Sequence, residues 1–235
     1  MPIHLRAEPG DYAEACLLPG DPLRARYVAE TFFEQPEQVN GERGMLGYTG
    51  THRGERVSVQ TSGMGCSSAG IVVEELVELG VRRILRIGTC GGLQPDMQMG
   101  DLIVAMSAVP ADATPIHLIG GEPHAPTASW SLVHEAVHQA KELGKTVKVG
   151  PIVSTDLFYN PDGGQYGRWR DRGILAVEME AAMLFTLGAL RGVETGCLLL
   201  VSDVVVEGEF RRITDEEMRR AVDEMTELAL VTLTG

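Results

Sequence analysis

The sequence is poor in cysteine, poor in basic relative to acidic residues, and without a long unbroken apolar run. Its 235 residues hold four cysteines, Cys16, Cys66, Cys90 and Cys197, with neither C-x-x-C spacing nor the density of a disulfide scaffold. A reducing, cytoplasmic setting is the simple expectation. Twenty Lys and Arg face 33 Asp and Glu, a formal net charge of −13. Such a field repels polyanions, so no non-specific binding to nucleic acid or anionic membrane is expected, and an anionic ligand needs a local arginine cluster. The opening MPIHLRAEPGDYAE shows no apolar signal core, and the most apolar helical stretch, 174–190, is broken by Glu178 and Glu180. Neither export nor a membrane span is expected.

What is present is ordinary for a soluble globular protein, 44% apolar and 23% charged, at a length that fits one large domain over residues 1–235. Runs rich in Val, Ile and Leu at 81–87, 102–109, 147–153 and 195–201 read as inner strands. Helical periodicity occupies 67–79, 132–143, 179–190 and 214–233. This alternation predicts an α/β class, a three-layer α/β/α domain. The segment 39–60 alternates apolar and polar positions around glycines, which predicts antiparallel strands and therefore a mixed central β-sheet.

Gly and Arg recur where strands should end. LLPGDPLRARY (17–27) follows a first short strand, and RIGTCGG (86–92) follows the run ending at Leu85. Glycine lets backbone N–H groups approach an oxyanion and guanidinium supplies charge with paired donors, so each segment reads either as a tight turn or as an anion cradle. VEMEA (177–181) sets Glu178 and Glu180 at a strand-to-helix junction, as macrodipole partners or as site carboxylates. VSDVV (201–205) ends an apolar strand with Ser202 and Asp203, where α/β proteins often contact ligands and where a cap is the competing role.

His134, Glu135 and His138 spell H-E-x-x-H on an expected helix, the spacing that sets two imidazoles on one face for zinc. A catalytic zinc needs a third protein ligand, for which only Asp156 or Asp162 offer themselves. The preferred reading puts these histidines on the solvated side of a helix whose apolar side carries Leu132, Val133, Ala136, Val137, Ala140 and Leu143.

Taken together, LPGDPLRARYVAETF, NGERGMLGYTG, SGMG, RIGTCGG, DLFYNPDG, VEMEAA and VSD resemble the bacterial hexameric, trimer-of-dimers purine nucleoside phosphorylases, from His4 to at least Asp203. Uridine phosphorylases and methylthioadenosine or S-adenosylhomocysteine nucleosidases are similar too. The arginines suit a phosphorylase better than a hydrolase, and DLFYNPDG resembles the purine enzymes. The resemblance implies phosphate held by Gly20, Arg24, Arg86 and Thr89, with Arg43 from a neighbouring subunit. It implies Glu180 on the ribose hydroxyls beside Met179, Met64 lining the sugar, and the neighbour's His4 near the 5′-hydroxyl. Phe158 would pack on the base, Glu178 would lie near base and sugar, and Ser202 with Asp203 would face the purine, Asp203 as the general acid. Purine nucleoside and inorganic phosphate are then the ligands, phosphate as co-substrate, with no cofactor, no metal, and a homohexamer as the assembly. One departure concerns an arginine that assists the aspartate in this family. Glu216, Glu217 or Met218 stand near its position, with Arg211, Arg212 and Arg219 as candidate substitutes. Phosphorolysis is the leading expectation; nucleoside hydrolysis, zinc proteolysis and a silent nucleoside-binding subunit are the others.

Overall fold

The computed structural model describes residues 2–206 and 209–235, the side chains of 205, 206 and 209–212 excepted. In chain order the elements are β1 (Ala15–Pro19), α1 (Pro22–Phe32), β2 (Glu34–Asn40), β3 (Gly47–His52), β4 (Glu55–Gln60), α2 (Cys66–Glu78), β5 (Arg83–Gly92) and β6 (Leu102–Ala111). There follow α3 (Ala113–Leu118), α4 (Trp130–Glu142), β7 (Val147–Thr155), α5 (Gln165–Arg170), β8 (Ala176–Glu178), α6 (Ala181–Arg191), β9 (Glu194–Val206), β10 (Glu209–Arg212) and α7 (Asp215–Thr234).

Among the described residues ten strands form one mixed sheet in the order β10-β9-β6-β7-β8-β5-β1-β4-β3-β2. The antiparallel pairings β2–β3 and β3–β4 realise the expectation for 39–60. The sheet also closes on itself, which periodicity did not foretell. β5 pairs with β9 in parallel over ten partners, so β5, β9, β6, β7 and β8 form a ring. Closure satisfies the backbone groups that edges of β5 and β9 would leave open. It also brings strand ends from distant parts of the chain together.

Burial explains the apolar runs. Leu17, Leu18, Val59, Ile84, Ile87 and Leu198 to Val201 are essentially inaccessible, each large aliphatic contributing about 1.5–3 kcal/mol on transfer from water. Helix α6 is buried from Ala181 to Gly188 without a break, which is why its sequence lacks a polar face. It packs on α2 and across β6, β7 and β9, and the missing side chain of Gly70 lets Met183 lie close against α2. Helices α4 and α7 pack on each other, and Tyr27 of α1 donates to Asp223 of α7 at 2.7 Å. No helix among the described residues is long and apolar enough to cross a membrane.

Caps set where helices begin. Asp21 accepts from Leu23 N–H at 2.8 Å, with Pro22 in the first helical position, so α1 starts two residues after β1 and places Arg24 on its first turn. Thr214 and Glu217 form a reciprocal capping box that starts α7.

Three sequence expectations are corrected. RIGTCGG is not a loop after a strand but the C-terminal part of β5 itself, because β8 and β9 supply partners on both sides up to Gly92. Ser202 and Asp203 do not end their strand, since β9 runs on to Val206 paired with β10. Val137, assigned to the apolar side of α4, is 38% exposed, whereas Leu132, Val133, Ala136 and Ala140 are buried as expected.

Candidate active site

Strands β1, β4, β5 and β9 run parallel, and their C-terminal ends carry Gly20, the turn 61–65, Gly91 and Asp203 to one side of the sheet. This is where parallel sheets bind ligands. At that end Gly91 lies between Val177 of β8 and Asp203 of β9, and Ser154 of β7 lies opposite Glu178. The closed ring thus sets the two carboxylates of VEMEA on one flank of β5 and the Ser-Asp pair on the other.

Arg86 is the centre. It is 3% exposed, donating through Nε to Glu178 Oε2 at 2.9 Å and forming an ion pair through Nη2 with Glu180 Oε2 at 2.5 Å. Burial alone would lower its pKa, but Glu180 and Glu178 hold the guanidinium above its ordinary value. The remaining donor group, Nη1, is buried without a partner. It faces Gly20, where an added Cβ would come to 4.0 Å from Nη1 and 3.2 Å from the Gly63 carbonyl. Gly88, two residues along the same strand face, provides the room: a Cβ there would lie 2.7 Å from Nη2. Arg24, half-buried, has its guanidinium lowered by burial and further by the charge of Arg86, with Asp21 acting the other way. Two mutually opposed guanidinium groups with an unused buried donor make a site for an anion.

Glu178 is anchored throughout. Besides Arg86 it accepts from Ser154 Oγ, from Glu180 N–H at 2.9 Å and from Ala181 N–H at 3.0 Å. Ser154 Oγ in turn accepts from Ala182 N–H at 2.9 Å. The carboxylate therefore caps the start of α6 and holds Arg86 at once, combining the two readings the sequence left open. Glu180 accepts from Gly65 N–H at 2.5 Å and is ion-paired with Arg86. Burial raises its carboxyl above the ordinary range, Arg86 pulls it down and Glu178 pushes it up again. Met64, next to Gly65, is 83% exposed, and Met179 is half-buried beside Glu180.

On the other flank Ser202 Oγ donates to Asp203 Oδ1 at 2.8 Å and approaches the Cys90 carbonyl at 3.3 Å. A Cβ at Gly91 would lie 3.0 Å from Asp203 Oδ2, so that glycine makes room for the carboxylate. Thr89 sits half-buried on β5 between the two flanks. Phe158 is 60% exposed in the segment after β7 and packs edge-on to Tyr159, ring centroids 5.1 Å apart. Arg212 is the Cα partner of Asp203 across β9–β10, though the side chains of Arg211 and Arg212 lie outside the described residues. Arg219 is exposed on α7, near Tyr27.

The sequence reading overlooked Ser154, Gly65 and Tyr166. Tyr166, on α5, has its phenol raised by burial and by the charge of Asp203. Gly65 stands in SGMG, which gave it no role of its own, and Ser154 and Tyr166 stand in no motif; only the fold brings the three to the strand ends.

Among the described residues neither His4 nor Arg43 bonds to Arg86. His4 is tied to Glu75 of α2, while Arg43 is exposed in a tight turn at φ 54°, a left-handed conformation uncommon for a residue with a side chain. Arg6 connects the two regions through its N–H to Asn40 Oδ1 at 3.2 Å and its Nε to Glu42 at 3.3 Å. His134 and His138 stack on the exposed face of α4, ring centroids 6.5 Å apart, and Glu135 accepts from Gln139. Among the described residues no three His, Cys, Asp or Glu side chains stand close enough to share a metal ion.

The phosphorylase superfamily matches residues 14–234. The DeoD-type purine nucleoside phosphorylase of Caldanaerobacter subterraneus subsp. tengcongensis is 46% identical over 231 residues, 98% of this chain and 99% of its own. That of an Exiguobacterium species is 45% identical over 233 residues, 99% and 98% of the two chains. The Geobacillus kaustophilus protein of the same name is 46% identical over 231 residues, 98% and 97%. A match of this length and identity shows the family, and the chain belongs to the phosphorylase superfamily.

Proposed function

We propose that this chain is a purine nucleoside phosphorylase, converting purine ribo- or deoxyribonucleosides and inorganic phosphate to free purine and pentose 1-phosphate. The observation that carries the reading is the buried, unpartnered Arg86 Nη1 over Gly20, beside Arg24 and beside the Glu180 carboxylate. An anion and a polyol can be held side by side there: phosphate on Gly20, Arg24, Arg86 and Thr89, ribose hydroxyls donating to the lone pairs of Glu180 left free by Gly65 and Arg86. The full-length relatives called purine nucleoside phosphorylases support the same choice.

The chemistry balances with these residues. As the C1′–N9 bond breaks, its electron pair goes to the purine and positive charge develops on the sugar. The bound phosphate stabilises that charge and its oxygen then bonds C1′. Asp203, protonated, gives its proton to N7 of the departing base. Met64, Met179 and Phe158 line the sugar and base. Glu178 acts through Arg86 and the start of α6, which adjusts the role the resemblance implied for it. Phosphate is a co-substrate and no cofactor or metal is needed.

In this reading residues 1–235 act as one nucleoside phosphorylase domain in the cytoplasm, assembled as a homohexamer, a trimer of dimers, in which His4 and Arg43 complete a neighbour's site. Arg6, two residues after His4, is bonded to Asn40 and Glu42 beside Arg43, and this link between the two segments supports a shared role. The decisive experiment is turnover of inosine and adenosine with and without phosphate. Ribose 1-phosphate formed only with phosphate is expected; free ribose formed without phosphate would make the protein a nucleosidase.

A further inference from the structure

One carboxylate gathers residues 3–5 of the N-terminal segment. Glu75, on the C-terminal half of α2, accepts from the backbone N–H of Ile3 at 3.0 Å, of His4 at 2.9 Å and of Leu5 at 2.7 Å. Its Oε1 also lies 2.8 Å from His4 Nδ1. The carboxylate side chain is 12% exposed and the imidazole 30%. Four donors on two oxygens, three from consecutive residues, form a dedicated clamp, because a chain end without regular structure has few other ways to hold one side chain in one place.

The clamp also decides the proton on the imidazole. Burial pulls the Glu75 carboxyl up, but His4 and the backbone N–H groups of Leu5, Ile3 and His4 outweigh it and leave the group below the ordinary carboxylate range. An ionised carboxylate has no proton to give, so Nδ1 must carry the hydrogen. In its neutral form His4 then presents Nε2 as a bare lone pair, and among the described residues no hydrogen bond within the chain uses it. A lone pair on a ring fixed at its other nitrogen accepts from a hydroxyl and has nothing to offer a methyl or thioether group.

We propose that Glu75 is a positioning residue that sets the substrate preference at the sugar 5′ position: by holding His4 as the Nδ1–H tautomer it makes the site select nucleosides with a free 5′-hydroxyl over 5′-deoxy and 5′-thioether nucleosides. The inference rests on the reading that His4 reaches a nucleoside 5′ position.

Glu75→Gln tests it with little change of volume. A carboxamide has one oxygen, so its NH₂ must face either Leu5 N–H or the Ile3 and His4 donors, and the clamp loses half of its acceptors. Turnover of inosine and of 5′-deoxyinosine is compared in the assembled wild-type protein and in Glu75→Gln, Glu75→Ala and His4→Ala. The wild-type kcat/KM ratio of inosine to 5′-deoxyinosine should fall about tenfold in Glu75→Gln and in Glu75→Ala, the scale of one lost hydrogen bond. Turnover of 5′-deoxyinosine and the KM for phosphate should be preserved. A merely structural role lowers turnover of both nucleosides equally and leaves the ratio unaltered, which overturns the proposal. His4→Ala separates the two levels: an intact ratio in that variant refutes the placement of His4 itself, whereas a collapsed ratio there with an intact one in both Glu75 variants refutes only the clamp.

Discussion

Arg24 and Arg86 look alike in the sequence, yet the structure gives them opposite consequences when removed. Replacing Arg24 with Met keeps the length of the stem and deletes the charge. Among the described residues no ion pair or hydrogen bond holds this guanidinium; burial and the charge of Arg86 disfavour it while Asp21 favours it, so the opposing contributions leave its loss nearly neutral in the empty site. Unliganded stability should stay within about 0.5 kcal/mol of wild type. Phosphate binding should weaken by about 2–3 kcal/mol, the lower part of the range for a lost charged partner because Arg24 is only half-buried. That corresponds to a rise in the KM for phosphate of roughly 30- to 150-fold. Thermal denaturation gives an independent readout. At phosphate about 100-fold above the wild-type Kd the bound ligand stabilises by about 2.7 kcal/mol, and a 30-fold weaker site retains only about 0.9 kcal/mol. Arg86→Met should differ sharply. It strands Glu178 and Glu180, both about 4% exposed, and breaking such a buried pair costs about 3–5 kcal/mol, a large part of a stability of about 5–15 kcal/mol. An Arg24→Met protein destabilised as much as Arg86→Met, or one that keeps the full phosphate-dependent shift, would refute the division of labour between the two arginines.

Other outcomes follow from the same geometry. Asp203→Asn can donate a hydrogen bond but cannot transfer a proton, so adenosine turnover should fall toward the about 10²–10⁴-fold that general acids supply, inosine turnover less, and phosphate affinity little; equal losses would point to positioning. Mixing inactive His4→Ala/Arg43→Ala subunits with inactive Asp203→Ala subunits should restore partial activity in proven mixed assemblies, and persistent inactivity would mean that each chain builds its own site. Glu75, depressed in the folded state, contributes stability above the unfolded glutamate pKa of about 4.3 that is lost as pH falls through its lower folded value. Urea midpoints of wild type and Glu75→Gln should therefore differ near neutral pH and converge in acid; a pH-independent gap would contradict the clamp's charge.

The alternation of apolar strands and amphipathic helices was legible because its two periods are local properties of the chain. So was the start of α7, where Thr214 and Glu217 cap each other three residues apart. RIGTCGG and VSD drew attention for their residue types but were misplaced as strand ends. Periodicity cannot show that β8, β9 and β10 extend the pairing past the apolar residues.

By itself, the sequence determined the α/β class, the mixed sheet and the residue types at the site, since these depend on neighbours within a few positions and on motifs that survive in order. Which carboxylate does what was decided only by tertiary structure. Glu178 and Glu180 are two residues apart and chemically alike, but Ser154 and the first N–H groups of α6 saturate one, while the other keeps capacity beside Arg86. The unpartnered Nη1 over Gly20 and the clamp of Glu75 on residues 3–5 likewise arise from contacts between segments far apart in the chain. Pairing β1 with β5 brings Gly20 to Arg86, and packing the N-terminal segment on α2 brings residues 3–5 to Glu75; a local pattern carries no information about which segments will meet.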